Sequence, residues 1–290
     1  MLYHITHDKT YDTIYGMTYH KIYDIVYFMK IITIGTLKGG TGKTTTTFNL
    51  AGKLAQNHRV LLIDLDPQCN LSLNTGIDVT KPNVKTSKNI FENNAKIQEM
   101  IYYKPIDGLV NLNVIPSSIL LTATELSIVS LAGREQILSN FILDNKAFLE
   151  SNYDYIIIDT NPSMSIINQN AFLVADSIIL ISDVSLNGIQ GAELFIALWE
   201  NARKQLRKDD NVKALIVNNY DKRIKLSGEL LDYCRENESI NKLLIDTVIP
   251  ANVKMKESEL EHKPVCLKNN IVLKMVFDKI IKELKNREIL

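Results

Sequence analysis

The residues best equipped for chemistry lie in one stretch, Gly35 to Thr44, which reads G-T-L-K-G-G-T-G-K-T. An apolar, β-branched run precedes it and a helical pattern follows, so the stretch is a loop between a strand and a helix. Gly39, Gly40 and Gly42 let backbone N–H groups turn inward and approach phosphate oxygens that a Cβ would keep away. The helix N-terminus adds its dipole to the same anion site. In that setting Lys43 reaches the β- and γ-phosphates, the Thr44 hydroxyl reaches Mg²⁺, and Thr41 and Thr45 complete the nucleotide contacts. The spacing departs from the usual G-x-x-x-x-G-K-T. A chance glycine-rich turn would not bring strand, loop, lysine, hydroxyl and helix into register. Lys38 is the unexplained member, because one chain needs no second lysine to cradle phosphates; by itself it reads as an exposed loop charge.

Three carboxylates join this loop. Asp64 and Asp66 close the apolar run that starts at Val60, and Asp159 closes the run that starts at Tyr155. Both runs end where open α/β sheets place their ligands. Strand alternation points Asp64 and Asp66 to the same face. Asp159, at the end of a buried strand, suits Mg²⁺ contact through water. The plain alternative for Asp64 and Asp66 is capping of the next turn.

With K-G-G-T-G-K-T at Lys38 to Thr44, L-I-D-L-D-P-Q at Leu62 to Gln68 and Y-I-I-I-D at Tyr155 to Asp159, the sequence resembles the deviant Walker A ATPases, the group that includes ParA, MinD and the nitrogenase iron protein. The likeness runs from about Lys30 to Lys285, with weaker matches in N-L-N-V-I-P-S-S at 111–118 and E-H-K-P-V at 261–265. The continuous L-I-D-L-D-P-Q favours the ParA branch. The resemblance implies that Lys38 reaches the nucleotide of a second subunit, so that ATP joins two monomers, and that it neutralises charge on the transferred phosphate. It makes Asp66 the residue that holds the Mg²⁺ shell and orients the attacking water, with Asp64 structural. It puts Asn218 against adenine and packs Pro250, Asn252 and Val253 on the ring. It further implies nonspecific DNA binding by the ATP dimer through Lys222, Arg223, Lys225, Lys254 and Lys256, and hydrolysis to ADP triggered by a ParB-like centromere-binding protein. That describes a cytoplasmic, nucleoid-associated partitioning ATPase. The chain departs from the family pattern at Cys69, where glycine is usual, at Asn161 in place of a proline, which loosens a turn, and at Ala251 in place of an arginine. Asn and Pro near 250 also fit ordinary turn chemistry, and Arg203, Lys204, Arg207 and Lys208 read more simply as a solvated helix face.

The elements needed to position these residues alternate along the chain. Apolar runs at Ile31 to Thr36, Val60 to Leu65, Leu112 to Ile115, Tyr155 to Asp159, Ser177 to Ser182 and Ala214 to Asn218, with one more near Ile245 to Val248, are separated by amphipathic stretches. That is the pattern of an α/β P-loop NTPase with a mostly parallel twisted sheet and helices on both faces. No linker divides the chain, so residues 29–290 read as one ATPase domain. Residues 1–28 differ, with tyrosine at 11, 15, 19, 23 and 27; they are either a partner-binding arm or sequence upstream of a start at Met29 or Met17.

Charge and composition narrow the class. With 33 basic and 33 acidic residues, no overall field draws the chain to nucleic acid or membrane. Cys69, Cys234 and Cys266 have neither metal-ligand spacing nor a paired framework, which disfavours the iron protein's cluster and suits a reducing compartment. Leu273, Val276, Phe277, Ile280, Ile281 and Leu284 form a helical stripe. It reads as core, or alternatively as the membrane-surface helix of a MinD-like positioning ATPase, although Asp278 and Glu283 dilute its basic face; no stable membrane association is expected. A related tyrosine kinase has only the N-terminal tyrosines in its favour, and a binding protein with a dead site is opposed by Lys43, Thr44, Asp66 and Asp159.

Overall fold

The β-branched runs become strands and the amphipathic stretches between them helices, in a computed structural model that describes residues 29–290. The tyrosine-rich stretch lies outside the described residues. Strand β1 (Lys30–Gly35) leads into α1 (Lys43–Leu54) and β2 (Val60–Asp64). Short helices α2 (Asn70–Asn74), α3 (Lys88–Glu92) and α4 (Ile97–Met100) lead to β3 (Tyr102–Tyr103) and β4 (Leu112–Ile115). Helices α5 (Leu121–Ile128), α6 (Ile137–Asp144) and α7 (Lys146–Asn152) precede β5 (Tyr155–Asp159). Then α8 (Ile166–Val174), β6 (Ser177–Asp183), α9 (Leu186–Gln205) and β7 (Val212–Asn218) alternate, followed by α10 (Lys225–Glu236), α11 (Val253–Leu260) and α12 (Ile271–Asn286).

The seven strands form one sheet in the order β3-β4-β2-β5-β1-β6-β7. Every pair is parallel except β3 with β4. Two register pairs matter for the site. Ile34 lies beside Asp159 and Asp64 beside Asp159, so the loop after β1 and the carboxylates ending β2 and β5 emerge level at one edge. From β1 the chain crosses to β2 on one side, whereas from β5 it crosses to β6 on the other, which places that loop at a topological switch point.

Period-two alternation divides the core. Ile32, Ile34, Leu62, Ile157 and Ile179 face α1 and α12, whereas Ile31, Leu61, Ile63, Ile156 and Ile158 face α5 to α8. Ile178, Leu180, Leu215 and Val217 pack on Phe172, Phe195 and Trp199. The stripe of α12 belongs to this interior, with Leu273, Phe277, Ile280 and Leu284 all at 0% exposure. At about 1.5–3 kcal/mol for each side chain, their burial stabilises the fold by roughly 6–12 kcal/mol relative to exposure to water. The stripe is core, and Asp278 in the same helix is engaged with Lys53 at 2.8 Å.

One expected strand is absent. The segment near Ile245 to Val248 makes only isolated parallel bridges on either side, Leu215 with Leu244 and Tyr220 with Pro250. The reason is Glu283 of α12, whose carboxylate accepts from Asp246 N at 2.6 Å, Thr247 N at 3.1 Å and the Thr247 hydroxyl. Those N–H groups are therefore withheld from a ladder with β7. The two-residue β3 was not anticipated, being too short to show a period.

Candidate active site

Helix α1 begins immediately after Gly42, which is left-handed at φ 82° and supplies no side-chain cap. Its first amides are thus uncommitted and face the loop. Glycine is required at 42 on two grounds, the backbone angle and the 1.9 Å that an added Cβ would leave to Asn218 Nδ2. Asn218, at the end of β7, donates from Nδ2 to Thr41 O at 2.8 Å, so it braces the loop as well as lying on the side expected for a base. Thr41 Oγ1 is buried and has no hydrogen-bond partner among the described residues, the kind of orphan a bound oxyanion satisfies.

Lys43, Thr44 and Asp159 meet as the sequence implies. Lys43 Nζ lies 2.8 Å from Asp159 Oδ1, with side chains 6% and 0% exposed. Thr44 Oγ1 donates to Asp159 Oδ2 at 2.7 Å and Thr47 Oγ1 to Asp159 Oδ1 at 2.9 Å. Thr44 and Asp159 offer only hard oxygen donors, in contact with each other at the mouth of the loop, which fits Mg²⁺ rather than a softer metal. When bound, Mg²⁺ would neutralise phosphate charge there. Asp66 stands nearby, buried, with Oδ1 accepting from Gln68 N at 2.9 Å. Its other oxygen has no hydrogen bond from the described residues and is left for water or metal. Burial pushes the Asp66 carboxyl up, against the opposing pull of the Gln68 amide and Lys43.

Asp64 does not share that role. Oδ1 accepts from Asp66 N at 3.0 Å, and Oδ2 accepts from Ser72 N at 2.9 Å and Ser72 Oγ at 2.7 Å, so it shapes the turn that carries Asp66. Burial, and then the neighbouring Asp159, push its carboxyl from 3.8 to about 7. In the window from about 4 to about 7 the folded protein holds a proton that the unfolded chain has released, so this group's contribution to stability falls as pH rises through the window. Urea midpoints without nucleotide or Mg²⁺ should show it: from pH 5 to pH 8 the difference between Asp64→Asn and wild type moves in the variant's favour.

Cys69 sits in the same turn at φ 56°, and only 3% of it is exposed. The backbone there is the left-handed form that the family's usual glycine adopts without cost. Cys69→Gly should therefore change stability by less than about 1 kcal/mol, relief of the angle offsetting lost burial and chain entropy. Cys69→Val, β-branched at positive φ, should lose about 1–2 kcal/mol in the same urea titration. The loosening expected at Asn161 does not occur. Ser163 N donates to Asn161 O at 2.9 Å and Asn168 Nδ2 to Asn161 Oδ1 at 2.6 Å, so hydrogen bonds replace the ring constraint.

Within the single chain Lys38 is not a free loop charge. Its Nζ lies 2.8 Å from Asp183 Oδ2, 3.0 Å from Asp183 Oδ1 and 2.8 Å from Ser185 Oγ. Ser185 also caps α9 by accepting from Gly188 N at 3.0 Å. With 30% and 19% of the two side chains exposed, the pair is worth at most about 1 kcal/mol. Sequence reasoning missed Asp183 and Ser185. The signal was there, an acid ending an apolar strand followed by a helix-capping serine. It also missed Ser72, whose spacing from Asp64 shows no period. Asn49 and Gly52 were missed as well: Val265 N donates to Asn49 Oδ1 at 2.7 Å, and a Cβ on Gly52 would stand 2.5 Å from Pro264. These contacts seat the E-H-K-P-V segment on α1.

Among the other residues that the resemblance assigns to the base, Pro250 is bridged to Tyr220 just beyond Asn218, and Val253 is 71% exposed. Asn252 caps α11 by accepting from Lys254 N at 2.9 Å, the turn chemistry that was the plain alternative. The same bridge brings Lys222, Arg223 and Lys225 to the end of the molecule that carries Lys254 and Lys256, all five exposed. Arg223, Lys225 and Lys254 pair with Asp221, Glu229 and Glu257; Lys222 and Lys256 make no ion pair among the described residues. Arg203 and Lys204 engage Glu200 on their own helix, as a solvated face does.

Comparison with known proteins gives the family and the fold. A family model described as an AAA domain matches residues 29–212, more than half of the chain. The sporulation initiation inhibitor protein Soj of Bacillus subtilis is 32% identical over 244 residues, spanning 82% of this chain and 90% of Soj. The chromosome partitioning protein ParA of Myxococcus xanthus is 30% identical over 242 residues, spanning 82% and 81%. A plasmid partition protein of Borrelia burgdorferi bound to AMPPNP superposes with a TM-score of 0.72 at 25% identity, over 89% of this chain and 99% of that one. Apo McdA of Cyanothece shares the fold, with a TM-score of 0.78 at 22% identity over 88% and 99%. Fold and site together define a nucleotide-hydrolysing P-loop enzyme. The chain belongs to the ParA family of P-loop ATPases.

Proposed function

We propose that residues 29–290 form an ATP-dependent dimerising switch of DNA segregation, which binds DNA nonspecifically as the ATP dimer and is released by a ParB-like centromere-binding partner. The observation that carries this reading is Lys38, held by Asp183 and Ser185 beside a complete Lys43, Thr44 and Asp159 site. A partly exposed pair of that kind exchanges at modest cost, so the phosphates of a nucleotide on a second copy can take the ammonium over. Lys43, already desolvated, stabilises charge on the β- and γ-phosphates, and the spare oxygen of Asp66 orients the attacking water. Asn218, Pro250, Asn252 and Val253 surround the base. Cleavage removes the group that Lys38 had crossed to reach, and the pair with Asp183 re-forms as the dimer separates.

Partitioning is favoured by the names of the relatives, Soj and chromosome partitioning ParA, and by the two basic segments joined at one end of the sheet. Phosphate contacts from Lys222, Arg223, Lys225, Lys254 and Lys256 would make DNA binding strongly salt-dependent and the protein nucleoid-associated. A MinD-like membrane role has lost its carrier, since the α12 stripe is buried. Among the described residues no helix is long and apolar enough to cross a membrane. ATPase assays with DNA and with a ParB-like centromere-binding protein test the reading. Stimulation by one or both is expected, and turnover indifferent to both would remove the partitioning role.

A further inference from the structure

The carboxylate of Glu259 accepts a hydrogen bond from the Thr45 hydroxyl. Glu259 lies on α11, half-buried, and forms no ion pair among the described residues. Its place is built rather than incidental. Asn49 holds α1 and the segment after α11 together, donating from Nδ2 to Thr45 O at 2.8 Å and accepting from Val265 N at 2.7 Å. Pro264 is seated on Gly52, and Met255 and Ser258 fix the inner face of α11 in the core. The result is an unpaired carboxylate set against the first turn of the phosphate-binding helix, where anions gather.

A bare acid at that point repels phosphate unless it meets a hydrogen-bond donor of the same ligand. The ligand's own layout supplies one. Thr45 follows the Mg²⁺-side hydroxyl of Thr44 and faces the α-phosphate side, while Pro250 to Val253, at the start of α11, lie on the base side. From Val253 to Glu259 the helix rises about 9 Å, roughly the reach of a nucleoside from base to α-phosphate. The ribose lies between these two ends, and its 2′- and 3′-hydroxyls are donors that carboxylates accept from. We infer that Glu259 is the ribose-recognising residue of this ATPase, reading the sugar hydroxyls beside Thr45. This rests on the ATP reading given above and deepens it.

The test is equilibrium binding of ATP and of 2′,3′-dideoxy-ATP, each with Mg²⁺, to the full chain as wild type, Glu259→Gln and Glu259→Ala. Wild type should prefer ATP by about tenfold or more, the scale of charge-assisted hydrogen bonds. In Glu259→Ala the preference should shrink to within about twofold, ATP binding weakening while dideoxy-ATP binding holds or tightens as the uncompensated acid is removed, with Glu259→Gln intermediate. Dideoxy-ATP binding no weaker than wild type shows that the variants are folded. An undiminished preference in Glu259→Ala would overturn the inference. So would tighter binding of both nucleotides, which would make Glu259 an electrostatic brake. A wild type that binds neither nucleotide would instead overturn the ATP reading, and the sugar contact with it.

Discussion

Lys43→Ala is expected to lower affinity for ATP by at least about 100-fold and to destabilise the fold at the same time. The first effect follows from loss of a desolvated ammonium that makes charge-assisted hydrogen bonds to phosphate, each worth about 1.5–3 kcal/mol. The second follows from burial. Asp159 is at 0% exposure and loses its ion-pair partner at 2.8 Å, and an uncompensated buried charge of that kind costs about 3–5 kcal/mol. The two effects separate in the double variant Lys43→Ala with Asp159→Asn, which removes the stranded charge. Urea titration should recover much of the stability, whereas calorimetric ATP binding should stay lost. If the single variant unfolds at the wild-type urea concentration, the Lys43–Asp159 ion pair does not carry the energy assigned to it.

Asp66→Ala is expected to have the opposite signature, with turnover reduced about 10²- to 10⁴-fold, as for removal of a positioned proton acceptor, and ATP affinity within a few-fold of wild type. The side chain touches neither Lys43 nor Thr44 and makes one hydrogen bond, from Gln68 N, so folding should suffer by only about 1 kcal/mol. Because the triphosphate survives, the ATP dimer should accumulate. Single-turnover hydrolysis and ATP binding measured together check this. A variant that turns over at half the wild-type rate would move the water-orienting role away from Asp66.

Much of this was legible in the sequence for a physical reason. The phosphate loop needs glycine at Gly42, where φ and the space against Asn218 both demand it, and at Gly40 for its positive φ. Asp159 and the strand before it were legible because a strand covered on both faces is apolar until the residue that leaves the sheet. Asp64 was separable from Asp66 only by its resemblance, and the structure supplies the cause, three hydrogen bonds that turn it inward. What the sequence hid is long-range. Glu283 draws the amides of Asp246 and Thr247 away from β7 across 37 and 36 residues, and a pattern of period two cannot report a carboxylate on another helix. Lys38 with Asp183, 145 residues apart, and Thr45 with Glu259, 214 apart, are of the same kind.

The decisive observation is the mass of the protein in solution by light scattering, for wild type and Lys38→Ala, each without nucleotide, with ADP and with ATP, in the presence of Mg²⁺. The expected result is a doubling of wild-type mass with ATP alone and an unchanged monomer for Lys38→Ala under every condition. A wild type of constant mass whichever nucleotide is present, or a Lys38→Ala variant that doubles as wild type does, would contradict the switch.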